Sequence, residues 1–381
     1  MRHIENPFFI TNNIPAEFFC DREKETDDLT RLLTNGNNVT LYSPRRMGKT
    51  GLIYHFYETV ESREYYTVFI DLLYTQSLQE FTYAFGKEVF NVLKSKGSKM
   101  LSVLLGTLKS LTAKLGVDEK GMPSFNVTLG DVSKPQFTLE EIFECLEKAD
   151  KPCIVAFDEF QQVAKYNETN VEALLRTYIQ RMRNCRFVFS GSETHLLQEM
   201  FQSHSRAFFQ STSTMVLKAI EKEKYVQFAV DNFKKFNKNA DSDGIGKLYD
   251  ILDGYTYYMQ KVMNEAFSLT PDGGVCDSGL LSSSLSRTVE MEDNTFSQMA
   301  ATISTNQKLL LYAIAKEGKA REITSERFIR QYNLASASAV QYSARMLMKE
   351  EIISKGNFDG DPIYFINNKF FEIWIRRKLG N

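Results

Sequence analysis

The segment Ser43-Pro-Arg-Arg-Met-Gly-Lys-Thr50 stands between a β-branched and aromatic run at residues 38–43 and helical spacing that begins at Lys49. It follows the phosphate-binding pattern GxxxxGK[ST], with Ser43 in place of the first glycine. Gly48 lets the backbone wrap closely, so that its N–H groups and the helix N-terminus can point at phosphate oxygens. A strand, this loop and a helix in succession therefore predict a phosphate-binding loop in an α/β fold.

The rest of the first half alternates apolar runs with amphipathic stretches. Runs typical of buried strands occur at residues 67–72, 153–157 and 186–190. Helical spacing occurs at residues 77–93, 138–149 and 171–182. This alternation predicts a parallel sheet that helices cover on both faces. The pair Thr138 and Glu141, three residues apart, predicts a capping box at the start of one helix. The pattern of residues 94–130 predicts a helix with a loop insertion.

The second half has a different pattern. After about residue 215 helical spacing dominates, with a turn-rich break at residues 270–279. From about residue 297 the pattern is three helices followed by a hairpin. The helices are predicted at residues 304–316, 325–332 and 336–349, and the hairpin strands at 352–354 and 363–366.

Two adjacent acids, Asp158 and Glu159, follow the most apolar run. Ligands bind at the carboxyl ends of the strands in open α/β sheets, so we expect both acids at the same site as the loop. Lys49 is expected to reach the β and γ phosphates, and Thr50 to offer its hydroxyl to Mg²⁺. Asp158 is expected to hold Mg²⁺ through water, and Glu159 to orient and deprotonate the attacking water.

Other residues near this site have open roles. Ser190 or Ser192, after the next strand, is placed to sense the γ-phosphate or to position the water. Arg45 and Arg46 either supply positive charge or pair with nearby acids. The apolar segment at residues 7–10 either packs on the nucleotide base or belongs to the ordinary core.

Composition excludes several classes. The 381 residues carry 46 Lys and Arg against 48 Asp and Glu, a net charge of -2, which excludes a globally basic nucleic-acid binder but not a local basic face. Apolar stretches such as residues 309–315 are far shorter than the roughly 20 residues of a membrane span, and the N-terminus lacks a signal pattern. Five scattered cysteines and four histidines lack metal-ligand spacing. We therefore expect a reducing, cytoplasmic location with no membrane and no structural metal.

Taken together, the motifs resemble the prokaryotic and archaeal-type ATPases of the AAA+ and STAND divisions of P-loop NTPases. Residues 19–29 resemble the motif F-x-G-R-E-x-E-x-x-x-L, with Asp21 in place of glycine, and residues 157–161 (FDEFQ) resemble the D-E-F-Q box. Residues 254–260 resemble the lid motif, without its proline and one glycine. The C-terminal segment, ending in residues 370–376, resembles a winged helix.

This resemblance covers nearly the whole chain. It implies an α/β fold with a P-loop NTPase parallel-sheet core over residues 1–215, a helical lid over 216–290 and a winged-helix domain over 291–381. It implies ATP and Mg²⁺ as cofactors, with Thr50 and Asp158 at the metal. The residues implied in ATP binding are Ser43, Pro44, Arg45, Arg46, Met47, Gly48, Lys49, Thr50, Gly51 and Ser190.

The implied catalytic residues are Lys49, Glu159 and Arg206. Arg206 lies where relatives carry an arginine finger or γ-phosphate sensor, and it is alternatively a plain surface residue. If it acts on a neighbouring copy, hydrolysis depends on a homo-oligomer.

The leading hypothesis is Mg²⁺-dependent ATP hydrolysis that drives conformational switching and acts on DNA or on a protein partner. The alternative is a slowly hydrolysing, STAND-like signalling switch that recruits protein partners. A third hypothesis, a DNA-binding regulator with a structural nucleotide site, does not explain why both Lys49 and Glu159 are present. The sequence contains no N-K-x-D motif, the pattern that would favour GTP.

The winged helix would present its third helix, residues 336–349, to a DNA major groove. Its exposed side chains are predicted to be Ser336, Ser338, Gln341, Tyr342, Arg345 and Lys349. Residues 291–381 carry 13 Lys and Arg against 10 Asp and Glu, a net of +3. Because phosphate contacts dominate DNA affinity, so small an excess predicts weak or strongly salt-sensitive binding, and DNA and protein both remain open as partners.

Overall fold

The computed structural model describes residues 6–11, 14–61, 65–112, 116–117, 123–358 and 361–379. The chain divides into two compact units. One unit spans Thr11–Ile220, and the other combines the residues up to Ile10 with those from Glu221 onward.

The first unit is built on a five-stranded parallel sheet, as the alternating pattern predicts. Its strands are β1 (Val39–Tyr42), β2 (Tyr66–Asp71), β3 (Cys153–Asp158), β4 (Cys185–Gly191) and β5 (Ser213–Val216). Their order across the sheet is β2-β3-β4-β1-β5. Strand β4 therefore lies between β1, which leads into the phosphate loop, and β3, which ends in the acids.

Helices and short elements connect these strands. The α-helices of this unit are Glu23–Thr34, Lys49–Glu61, Leu78–Lys94, Ser98–Thr107, Lys109–Thr112, Pro135–Glu147, Val171–Ile179 and Thr194–Gln202. The 3-10 turns are Ala16–Phe18, Leu129–Asp131 and Phe160–Lys165, and a two-stranded ribbon pairs Gly116–Val117 with Pro123–Ser124.

Side chains alternate across β3 in the way that a sheet buried on both faces requires. Ile154 and Ala156 belong to the apolar core on one face, and Val155 and Phe157 belong to the core on the other. Phe157 is the centre of an aromatic cluster. Its ring centroid lies 5.1 to 6.1 Å from those of Phe81, Phe85, Phe160, Phe187 and Phe189. This packing anchors the strand that carries the acids.

The predicted capping box at Thr138 and Glu141 is wrong. The helix begins earlier, at Pro135, because proline is well suited to the first helical position, where the missing N–H costs nothing. Thr138 and Glu141 are instead buried and contact Ser110, whose backbone N–H donates to the Glu141 carboxylate at 3.1 Å. Long-range contacts of this kind have no local sequence signal.

The second unit is mainly helical. Its helices are Lys222–Lys235, Ser242–Ile251, Thr256–Leu269, Ser278–Glu290, Asp293–Thr302, Thr305–Glu317, Glu326–Gln331, Ala337–Lys349 and Lys369–Leu379. A parallel two-residue pair joins Asn239–Ala240 to Val275–Cys276, and a three-stranded sheet contains Ala320–Arg321, Ile353–Phe358 and Asp361–Ile366. The helices and hairpin predicted after residue 297 are thus present, and the Ser304 cap of Thr305–Glu317 forms a full capping box with Gln307.

The N-terminal segment packs with this helical unit. Phe8 is fully buried, and its ring lies 5.6 Å from that of Phe233 and 5.9 Å from that of Phe267. The Asn264 side chain donates to the Phe8 carbonyl at 2.7 Å. Of the two roles considered for residues 7–10, Phe8 therefore has the role of a core residue.

Candidate active site

The phosphate loop connects β1 to helix Lys49–Glu61. Arg46 and Gly48 both have left-handed backbone torsions, with φ of 71° and 92°. Glycine adopts this conformation without a side-chain clash, which explains why Gly48 stands directly before the helix. The loop thereby turns back over the helix N-terminus, where unpaired backbone N–H groups favour an anion.

Lys49 is 6% exposed and lies inside this loop. Its ammonium donates to the backbone carbonyls of Ser43 and Pro44, at 3.0 and 3.3 Å. Burial lowers the pKa of Lys49, and the nearby charges of Asp158 and Glu159 oppose this effect. Among the described residues, the hydrogen bonds of the Lys49 ammonium go to neutral carbonyls, which it can exchange for phosphate oxygens.

Asp158 lies at the end of β3 and joins the loop helix to β4. The Thr50 hydroxyl donates to one Asp158 carboxylate oxygen at 2.7 Å, and the Ser190 hydroxyl donates to the other at 2.6 Å. Hydroxyl and carboxylate oxygens are the hard ligands that Mg²⁺ takes in proteins. Thr50, Asp158 and Ser190 are therefore chemically suited to a magnesium ion.

Glu159 follows in a left-handed conformation, with φ of 53°. Its Oε2 accepts hydrogen bonds from the Gln161 amide at 2.6 Å, the Ser192 hydroxyl at 2.8 Å and the Ser192 backbone N–H at 3.1 Å. Burial raises the pKa of Glu159, but these hydrogen bonds and the charge of Lys49 outweigh burial and leave the pKa below its ordinary value. Glu159 is therefore an ionised carboxylate at neutral pH.

The two serines considered for one role have different contacts. Ser190 contacts Asp158, and Ser192 contacts Glu159. Ser192 also accepts a hydrogen bond from Arg45 Nε at 3.1 Å, so a side chain of the phosphate loop reaches the residue that holds Glu159.

Arg206 pairs with carboxylates other than Asp158 and Glu159. Its guanidinium pairs with Glu172 at 3.0 Å and with Glu199 at 3.1 Å. Burial raises the pKa of Glu172, and Arg206 opposes this effect. The catalytic role of Arg206 stays a prediction.

The structure thus brings together Lys49, Thr50, the two acids Asp158 and Glu159, and the two serines Ser190 and Ser192.

Gln161 and Arg22 had no predicted role, although Gln161 lies in the D-E-F-Q box and Arg22 in the motif at residues 19–29. Arg22 is 4% exposed, and its guanidinium donates to the Lys218 carbonyl at 2.8 Å and approaches the Met47 carbonyl at 3.5 Å. It also pairs with Glu25 at 2.6 Å. Arg22 thus links the phosphate loop to the segment after β5, a role that no local pattern indicates.

Asp71 also lies at this edge of the sheet. It ends β2 directly opposite Asp158 in the strand register. Burial raises its pKa, and the hydrogen bond from the Leu73 N–H, 2.9 Å from Oδ1, opposes this effect.

The lid motif at residues 254–260 packs within the second unit. The Tyr258 hydroxyl lies 3.2 Å from the Asn368 side-chain oxygen and accepts a hydrogen bond from the Lys369 N–H at 3.0 Å. Lys369 in turn pairs with Asp253 at 2.7 Å and with Glu372 at 3.0 Å. These contacts tie the motif to the last helix of the winged-helix segment.

The parallel sheet, its phosphate loop and the acids at the end of β3 define the class of P-loop nucleotide-binding proteins. Within that class, the chain belongs to the family of ATPase domains found predominantly in Archaea, whose model matches residues 19–262. A winged-helix domain model matches residues 294–377. The resemblance inferred from the motifs is confirmed for both parts.

Individual proteins agree with this placement. An uncharacterised ATP-binding protein of Methanocaldococcus jannaschii is 26% identical over an alignment of 202 residues, and the match covers 49% of this chain and 55% of that protein. The chain thus aligns with about half the length of this curated relative.

Two solved structures share the fold. The Walker-type ATPase of Pyrococcus abyssi is 18% identical with a TM-score of 0.68, over 97% of this chain and 99% of that one. The ORC1 protein of Aeropyrum pernix, solved in complex with DNA, is 12% identical with a TM-score of 0.53, over 98% and 97%. Within the described residues, no helix has both the length and the apolarity needed to cross a membrane.

Proposed function

We propose that this protein binds ATP with Mg²⁺ and hydrolyses it. The observation that carries the proposal is the Asp158 carboxylate, which the Thr50 and Ser190 hydroxyls contact at 2.7 and 2.6 Å beside a buried lysine and a second, ionised acid. Membership of an ATPase family supports the same chemistry. The reaction is an in-line attack of water on the γ-phosphate.

The chain's own residues divide the work. Loop N–H groups and Lys49 bind the phosphates and stabilise negative charge as it develops. Thr50 and Asp158 would hold Mg²⁺, which neutralises phosphate charge when bound. Glu159 orients the water and accepts its proton, because an ionised carboxylate is required for that step.

We further propose that nucleotide state is transmitted to the winged helix, which contacts DNA. The exposed face of helix Ala337–Lys349 includes Gln341, Tyr342, Arg345 and Lys349. These side chains are suited to base edges and phosphates. The fold is shared by an ORC1 protein that was solved with DNA, which supports DNA as the partner.

One observation favours a second candidate, the slowly hydrolysing switch that recruits proteins. Arg206 pairs with two carboxylates of its own unit, Glu172 and Glu199. An arginine neutralised in this way does not add positive charge to a phosphate, and hydrolysis without such a charge is slow.

The test is the steady-state ATPase rate of wild type and Glu159→Gln, each with and without duplex DNA. We expect DNA to stimulate wild type, and Glu159→Gln to lower the rate at least about 100-fold while it still binds ATP, because the water loses its base. Tight ATP binding with negligible turnover in both proteins, unchanged by DNA, would refute hydrolysis and leave the switch. An Arg206→Ala variant with the wild-type rate would also favour the switch.

A further inference from the structure

The Gln161 side chain donates a hydrogen bond to the Glu159 carboxylate. We propose that Gln161 is a positioning residue: together with Ser192 it fixes the Glu159 carboxylate so that Oε1 faces the attacking water. This inference rests on the proposed hydrolysis, since it assigns Gln161 a part in that reaction. Gln161 acts through Glu159 and is not itself a catalytic residue.

The contacts on Glu159 are one-sided. All three donors, the Gln161 amide and the two groups of Ser192, lie within 2.6 to 3.1 Å of Oε2. Among the described residues, no hydrogen bond to Oε1 is formed. One carboxylate oxygen is therefore anchored, and the other is left to accept a proton, which is the geometry that a general base needs.

The Gln161 side chain is enclosed by the protein. It is fully buried on the 3-10 turn Phe160–Lys165, directly behind the site. A Cβ added at Gly191 would lie 2.0 Å from Gln161 Oε1 and 3.1 Å from Cδ, so the glycine makes room for the amide.

The amide is retained at a cost. Gln161 Oε1 is buried and has no hydrogen-bond partner among the described residues. A methionine, which has a similar shape, would avoid the cost of a buried oxygen without a hydrogen bond. It could not, however, donate a hydrogen bond to Glu159. The charge-assisted bond from the Gln161 amide to Glu159, at 2.6 Å, offsets the cost of the buried oxygen.

Ser192 extends the arrangement to the phosphate loop. Its hydroxyl donates to Glu159 and accepts from Arg45 Nε at 3.1 Å. Occupation of the loop by phosphate would draw on the Arg45 guanidinium, whereas the Gln161 bond to Glu159 involves no residue of the loop. Gln161 thus keeps the carboxylate oriented when the contacts of the loop change.

The test compares Gln161→Met with Gln162→Met, a neighbour on the same turn that is half-buried. ATP hydrolysis is measured as kcat and KM, with ATP affinity measured separately. For Gln161→Met we expect kcat to fall about tenfold with KM and ATP affinity unchanged, because Glu159 loses the donor that orients it. Gly191→Ala should reproduce this fall in kcat by displacing the amide, and Gln162→Met should match wild type.

Several outcomes would overturn the proposal. Parallel losses of kcat and of ATP affinity would mean that Gln161 serves the folding of the site only, and an increased kcat would mean that it restrains Glu159 instead of positioning it. If wild type binds ATP without hydrolysing it, the proposed function fails, and thermal unfolding then tests the contact alone. Gln161→Met should lower the melting temperature less than half as much in a Glu159→Ala background as in wild type; equal losses would show that the two side chains do not interact.

Discussion

The buried arginine under the phosphate loop gives a quantitative test of the structure. Arg22 donates to the Lys218 carbonyl at 2.8 Å and pairs with Glu25, whose side chain is 22% exposed. The carbonyl bond is charge-assisted and is worth about 1.5 to 3 kcal/mol. Because Glu25 can reach water when its partner is removed, the ion pair adds no more than about 1 kcal/mol.

Arg22→Met should therefore lower the free energy of unfolding of the first unit by about 3 kcal/mol, a fall of about 6 to 12 °C in its melting temperature. ATP affinity should fall as well, because the Met47 carbonyl loses the side chain that approaches it at 3.5 Å. Circular dichroism of thermal unfolding and equilibrium ATP binding measure the two effects.

Arg31→Met is the matched control on the same helix. Arg31 is 62% exposed and pairs with Asp28 at 2.9 Å, three residues away. Exposed pairs of this kind contribute no more than about 1 kcal/mol. Equal losses from the two substitutions would refute the argument that Arg22 ties the loop to the segment after β5.

Two further predictions concern charge. Burial lowers the pKa of Lys49, so the unfolded chain binds more protons between the folded pKa and the ordinary 10.5, and stability rises with pH in that window. Lys49→Met should thus be more stable than wild type near pH 7, with a gap that narrows towards pH 10 in urea titrations, while it loses ATP binding. If winged-helix Arg345 contacts a DNA phosphate, Arg345→Ala should reduce the slope of log affinity against log salt by about one; an unchanged slope in fluorescence anisotropy would contradict that contact.

The residues that form the phosphate loop and the acidic end of β3 could be predicted from the sequence. Ser43–Thr50 and the pair Asp158 and Glu159 are each local signals: a glycine before a helix start, and acids directly after a run of buried-strand residues. Local backbone and burial requirements decide such features, so a linear pattern records them.

Contacts between distant segments were decided by the tertiary structure alone. The order of the strands places β4 between the loop strand and the acid strand, and so brings Ser190 to Asp158 and Ser192 to Glu159. The pairing of Arg206 with Glu172 and the packing of Phe8 in the helical unit depend likewise on which surfaces meet. Side-chain contacts between distant segments depend on distances that residue types and spacing do not encode. The two acids could therefore be predicted from the sequence, whereas their hydrogen-bond partners could be identified only from the tertiary structure.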